Sequence, residues 1–144
     1  ECCSKDGKCG TTSDYCYISK NCQTKYGYCI DECEEINEQL KKFNEHDSYN
    51  VKCIANSQKK VQTLELYGIN EERIQKYMDQ LINLTELESL SLVNMYSLSN
   101  FESIKHFKNL TKLEIINTNY YGSIPDYILS FSNLKTLKRL YNLK

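Results

Sequence analysis

The sequence predicts a small disulfide-rich module followed by an α/β solenoid, with a short parallel ladder and a helical or irregular convex side. Three observations predict it. Cys2, Cys3, Cys9, Cys16, Cys22, Cys29 and Cys33 crowd the first part of the chain, with Cys53 alone downstream. Apolar residues set two apart, as a half-buried strand requires, recur at Leu64/Leu66, Leu90/Leu92 and Leu113/Ile115, with Leu137 in the same frame. The steps between Leu64, Leu90, Leu113 and Leu137 are 26, 23 and 24 residues, inside the period of roughly 20–29 expected of stacked strand–loop units.

The clearest unit is the stretch 109–125, NLTKLEIINTNYYGSIP. Leu113 and Ile115 suit a strand, while Gly122 and Pro125, the only proline, mark the passage from strand to loop. The pattern from Leu110 through Leu113, Ile115, Gly122, Ile124 and Pro125 resembles one unit of a plant-type leucine-rich repeat. Parallel strands are expected at 64–66, 90–92, 113–115 and 137–139. The pattern departs from that family where Met95 and Thr118 replace the usual asparagine, and where Arg139 falls on a leucine position. Between the first two strands, Asn70-Glu71-Glu72 starts a helix whose apolar stripe is Ile74, Tyr77, Met78, Leu81 and Ile82. Ile104 and Phe107 turn inward in the next unit.

Composition limits the function classes. The 144 residues carry a formal net charge of −1, so nothing electrostatic favours nucleic acid or an anionic membrane. No apolar run approaches the roughly 20 residues of a membrane span. The chain begins at Glu1 and reads as a processed or excised piece. No nucleophile–base pair, metal constellation or phosphate loop is visible, and His46 and His106 stand outside any motif; no enzyme and no cofactor are expected. Cysteines this dense imply disulfides formed in an oxidising, extracellular compartment. Zinc is disfavoured, because no C-x-x-C pair occurs and both histidines lie far off.

Cys2-Cys3-Ser4, Gly7-Lys8-Cys9-Gly10, Thr11-Thr12-Ser13-Asp14-Tyr15-Cys16, Asn21-Cys22 and Tyr26-Gly27-Tyr28-Cys29 form a specific spacing. It closely resembles the type 1 chitin-binding (hevein-like) domain, in a form common in fungal proteins, over residues 2–29. The resemblance implies Cys2–Cys16 and Cys22–Cys29 disulfides. It also implies two cysteines upstream of Cys2 as partners of Cys3 and Cys9, which leaves those two unpaired here unless they join each other. Staples in place of a core are what so small a segment needs. The family's sugar groove, a serine and three aromatics that stack on N-acetylglucosamine, maps onto Ser4, Asp6, Lys8 and Tyr15. Only Ser4 and Tyr15 match. Losing two aromatic platforms removes about 1–3 kcal/mol, roughly fivefold to a hundredfold in affinity, so binding to chitin or its oligomers is expected to be weak. Tyr17, Tyr26 and Tyr28 lie nearby in sequence.

Residues 31–44 change character. Asp31 and Glu34 give a D-x-x-E capping pattern, and Ile36, Leu40 and Phe43 follow at helical spacing, with Glu38 placed to pair with Lys42. The charged residues here read as a solvated helix face. A helix, a loop and Cys53 before the first strand resemble the N-terminal cap of plant-type leucine-rich repeats, which implies a Cys33–Cys53 bond. The expected division is therefore 1–32 for a partial hevein-like module, 33–60 for the cap and 61–144 for three to four repeats. Asn83-Leu84-Thr85 and Asn109-Leu110-Thr111 are N-glycosylation sequons ahead of the strands of successive repeats, seven residues before Leu90 and four before Leu113.

Residues flanking the buried leucines form rows on the opposite face: Thr63, Ser89, Lys112, Thr136; then Glu65, Ser91, Glu114, Lys138; then Tyr67, Val93, Ile116. The last row is apolar and marks a possible protein-partner site. The expected function is a secreted chitin- or N-acetylglucosamine-binding module joined to a repeat scaffold. The alternative is a cell-surface interaction or structural protein whose cysteine-rich module no longer binds sugar.

Overall fold

A computed structural model of the chain describes residues 1–43, 50–69, 77–78, 81, 83–95, 102–117 and 123–140. His46, the helix start at Asn70-Glu71-Glu72, Ile74, Ile82, Thr118 and Gly122 lie outside the described residues, as do the side chains of Lys42 and Phe43. The described residues form a disulfide-rich N-terminal region and a five-stranded mixed sheet.

The N-terminal region has little regular structure. β1 (Cys2–Cys3) and β2 (Cys9–Gly10) make a two-stranded antiparallel hairpin, followed by one helical turn, α1 (Ser13–Cys16). Its core is the cluster Cys2, Cys16, Ile18, Cys22 and Cys29, with Tyr15 and Ile30 against it. Most of that cluster is sulfur, so covalent bonds do what apolar area does in larger domains. Cys2–Cys16 and Cys22–Cys29 are bonded, and Cys3 joins Cys9. No cysteine is free.

α2 (Glu32–Phe43) begins with a reciprocal cap: the Glu34 N–H donates to Asp31 Oδ1 at 2.8 Å, and the Asp31 N–H to Glu34 Oε2 at 3.4 Å. Ile36 and Leu40 bury themselves in the main core. Cys33 on this helix is bonded to Cys53 on β3 (Asn50–Ala55), 20 residues on. β3 was not expected from the sequence, which placed only a loop and Cys53 ahead of the first strand. It pairs antiparallel with β4 (Val61–Tyr67), Cys53 opposite Leu64, through the turn 56–60.

β4, β5 (Ser89–Val93), β6 (Lys112–Ile116) and β7 (Thr136–Leu140) are parallel neighbours, in the sheet order β3-β4-β5-β6-β7. Leu64 pairs with Leu90, Leu90 with Leu113 and Leu113 with Leu137. The first three strands leave the sheet through equivalent left-handed residues, Gly68, Asn94 and Asn117 at φ 68°, 54° and 52°. Glycine and asparagine are the residues that tolerate this conformation. The N–H of each donates to the next strand, on Val93, Ile116 and Leu140. Met95, where an asparagine was looked for, is instead fully buried.

The main core lies on one face of the sheet. Leu64, Leu66, Leu90, Leu92, Leu113 and Ile115 meet Tyr77, Met78, Leu81, Leu84, Leu87, Ile104, Phe107, Leu110 and Ile128. The 3-10 turn Glu102–His106 and the helical turn Asp126–Leu129 supply part of that layer. No helix among the described residues is long and apolar enough to cross a membrane.

Candidate functional site

The four residues matched to a sugar groove sit around the β1–β2 hairpin. Ser4, Asp6 and Lys8 share its five-residue loop, which the Cys3–Cys9 disulfide closes at the base. The Ser4 N–H donates to the Lys8 carbonyl at 2.8 Å and the Gly7 N–H to the Ser4 carbonyl at 3.0 Å. Gly7 takes φ 74°, which a side chain would resist. Gln23 fixes the loop from behind, donating its Nε2–H to the Ser4 carbonyl at 2.6 Å. Asp6 and Lys8 are exposed.

Tyr15 lies at the foot of this hairpin. Its half-buried ring packs against Gly10, where an added Cβ would overlap the Cδ2–Cε2 edge of the ring. Glycine at 10 thus permits the ring's position, and part of the ring is already covered. The arrangement offers a hydroxyl, a carboxylate, an ammonium group and the remaining part of one aromatic surface. Such a rim can hydrogen-bond polyol hydroxyls but presents little flat apolar area.

Of the neighbouring tyrosines, Tyr17 is buried, and its hydroxyl donates to Glu38 on α2. That hydrogen bond, with burial and the nearby carboxylates, pushes the Tyr17 phenol up to about 12. It is a strut between the N-terminal region and α2, unavailable for stacking. Tyr26 and Tyr28 are 54% and 68% exposed. The Lys59 ammonium lies 4.6 Å from the centre of the Tyr28 ring, and the Tyr28 hydroxyl donates to Glu34 at 3.3 Å. The Glu34 charge raises the Tyr28 phenol above its ordinary value.

No known protein family, curated protein or solved structure matches this chain.

The acidic face of α2 was not anticipated as a structural hub. The reading of these charges as a solvated face fails for Glu32 and Glu35, which are 3% and 8% exposed. Glu32 accepts from Lys60 Nζ and from the Val61 N–H, each at 2.8 Å, tying the helix start to the start of β4. Glu35 Oε1 accepts from Ser19 at 2.8 Å and from Gln39 at 3.3 Å, while its Oε2 is buried without a hydrogen-bond partner. Burial raises the Glu35 carboxyl above its ordinary value, against the opposing Ser19 hydrogen bond. Lys59 completes the junction by donating to the Cys29 carbonyl at 2.6 Å. Glu32, Glu35 and Glu38 stand three apart, so they share one helix stripe. That spacing was the available signal; what it faced was not.

On the sheet face away from the core the expected rows align. Thr63, Ser89, Lys112 and Thr136 are in register, as are Glu65, Ser91, Glu114 and Lys138, and Tyr67, Val93 and Ile116; Leu140 extends the last row. Burial raises the Glu114 carboxyl, but donation from Lys112 and from Ser91, 3.0 and 2.9 Å away, outweighs it and holds the group below its ordinary value. His106 is exposed.

Both sequon asparagines are exposed but engaged differently. Asn109 Nδ2 donates to the Thr85 carbonyl at 2.7 Å, and Asn133, its equivalent one strand on, approaches the Lys108 carbonyl at 3.5 Å. The Asn83 amide makes no such bond among the described residues. It lines a cavity of about 530 Å³ between the N-terminal region, α2 and the start of the second unit.

Proposed function

We propose that this is a secreted, non-enzymatic carbohydrate-binding protein in which a hevein-like module binds N-acetylglucosamine oligomers, joined to a leucine-rich-repeat scaffold. The observation that supports the sugar reading is the disulfide-closed loop that carries Ser4, Asp6 and Lys8, with Tyr15 packed on Gly10 at the foot of the same hairpin. The repeat reading is supported by parallel strands whose leucines stay in register across steps of 26, 23 and 24 residues, and by their equivalent left-handed exits. Four disulfides support maturation in an oxidising, extracellular compartment.

Titration of an N-acetylglucosamine oligomer, followed by tyrosine fluorescence, tests the reading. Weak binding is expected, lost in Tyr15→Ala. Replacing Asp6 and Lys8 together by aromatics is expected to tighten binding by roughly fivefold to a hundredfold, because pyranose C–H faces need a flat apolar partner. An unchanged curve in Tyr15→Ala would remove the inherited site.

A second reading is favoured by the sheet face. The row Tyr67, Val93, Ile116 and Leu140 is apolar and none of its members is buried. A protein partner seated there, with the cysteine-rich region as a spacer, is the function that remains if sugar binding is absent.

A further inference from the structure

The cavity beside Asn83 is walled by three parts of the chain. Ser13, Tyr17, Ser19 and Lys20 come from the N-terminal region, Glu32, Glu35, Ile36 and Gln39 from α2, and Lys60, Leu81, Asn83 and Leu84 from the sheet unit. Its volume, about 530 Å³, lies in the range of small-molecule sites, about 300–1,000 Å³. The wall mixes hydroxyl, amide, ammonium and carboxylate groups with the apolar side chains of Ile36, Leu81 and Leu84. Two lysines stand against two glutamates, so the wall has no net preference for a charged guest. A neutral ring carrying hydroxyls on its edges and C–H groups on its faces fits that mixture, and a saccharide is such a ring.

The cavity also carries its own attachment point. Asn83 is the first residue of the Asn83-Leu84-Thr85 sequon, exposed and with its amide uncommitted among the described residues, whereas the Asn109 amide is used on the Thr85 carbonyl. Leu84 is buried, so the sequon is fixed to the wall by its middle residue. We propose that the cavity is a saccharide seat, filled by the first sugar of a glycan carried by Asn83. In the attachment step the amide nitrogen of Asn83 loses a proton and bonds to the anomeric carbon of a lipid diphosphate-linked oligosaccharide. The bond from that carbon to the diphosphate breaks, and the diphosphate leaves with the electron pair. The seated sugar would fill the space between the N-terminal region and the sheet unit and stiffen their junction. This proposal does not rest on sugar binding at the Ser4–Lys8 loop.

The test uses the full chain secreted from a eukaryotic host. Glycopeptide mass spectrometry measures occupancy of Asn83, and a glycosidase that leaves one N-acetylglucosamine trims the glycan. Hydrogen exchange is then compared between this form and the unglycosylated Asn83→Gln chain. The expected result is an occupied Asn83 and several-fold slower exchange in α2 and residues 13–20 of the single-sugar form. Ser13→Trp, which places a bulky ring in the cavity from an exposed position, should keep the glycan and abolish that difference. Absence of a glycan at Asn83, equal exchange in the two forms, or a difference that survives Ser13→Trp would each overturn the proposal. Free N-acetylglucosamine that protects α2 in a chain whose Asn83 is unmodified would assign the cavity to a diffusible sugar and overturn the covalent source.

Discussion

The charge of Glu35 is poorly tolerated by the fold. Its Oε2 is buried without a hydrogen-bond partner, Glu32 lies close enough to repel it, and only Ser19, Gln39 and the more distant charges of Lys20 and Lys60 oppose the burial. A carboxyl raised in the folded state binds its proton more tightly there than in the unfolded chain. Its contribution to stability is therefore best at low pH and declines as pH rises from the ordinary carboxylate range through the raised folded value. Glu35→Gln removes that dependence. Thermal melts should show the variant gaining on the parent as pH rises from about 4 to 7, with little difference at the acid end. A constant offset at every pH would mean that packing, not charge, separates the two. Glu32 is the converse case, buried but fully used. Glu32→Ala strands the buried Val61 N–H and should cost about 1–3 kcal/mol in denaturant unfolding. No such contrast is visible in the sequence, where both are acidic residues of one helix turn.

At the scale of elements, the strands differ by position in the sheet rather than by composition. Leu90 and Leu137 hold equivalent places in the register. Leu90 is fully buried between two neighbouring strands, whereas Leu137 lies on the edge strand of this sheet and is only partly buried. Leu90→Ala is expected to cost about 2–5 kcal/mol. Leu137→Ala should cost clearly less, measured in the same unfolding experiment. α2 and β3 are tied to each other by Cys33–Cys53. Replacing both cysteines by serine should lower stability by about 3 kcal/mol in the chain-entropy picture for a loop of this length.

At the scale of the whole molecule, the described residues form two apolar cores that share no residue. The first is mainly disulfides and the second mainly leucine, and the junction between them is polar: Tyr17 to Glu38, Ser19 to Glu35, Lys59 to the Cys29 carbonyl. A polar junction couples two cores less strongly than a shared apolar one. Cys2→Ser/Cys16→Ser should therefore strip hydrogen-exchange protection from residues 14–30 while β4, β5 and β6 keep theirs. Simultaneous loss in both places would show that the chain unfolds as one unit.

The sequence by itself determined the periodic features. Leucines two apart at steps of 26, 23 and 24 residues can bury one side of a strand only if each unit presents that side to the same core, so strand positions and cross-strand rows were legible in advance. The Asp31–Glu34 cap is equally local, needing only two side chains and their own backbone. β3 was not legible, because its pairing to β4 is specified by the partner strand and the Cys33 bond, not by a pattern in Val51-Lys52-Cys53. The Cys3–Cys9 bond was left open because spacing does not choose between partners; the hairpin register does, by setting these residues opposite each other. The tertiary structure also decided the fate of the polar side chains. Tyr17 becomes a strut, Glu32 a buried anchor and Glu35 a strained neighbour of a cavity only because the N-terminal region folds back onto α2. Burial of a charge is a property of what packs against it, and that is set by segments distant in the chain.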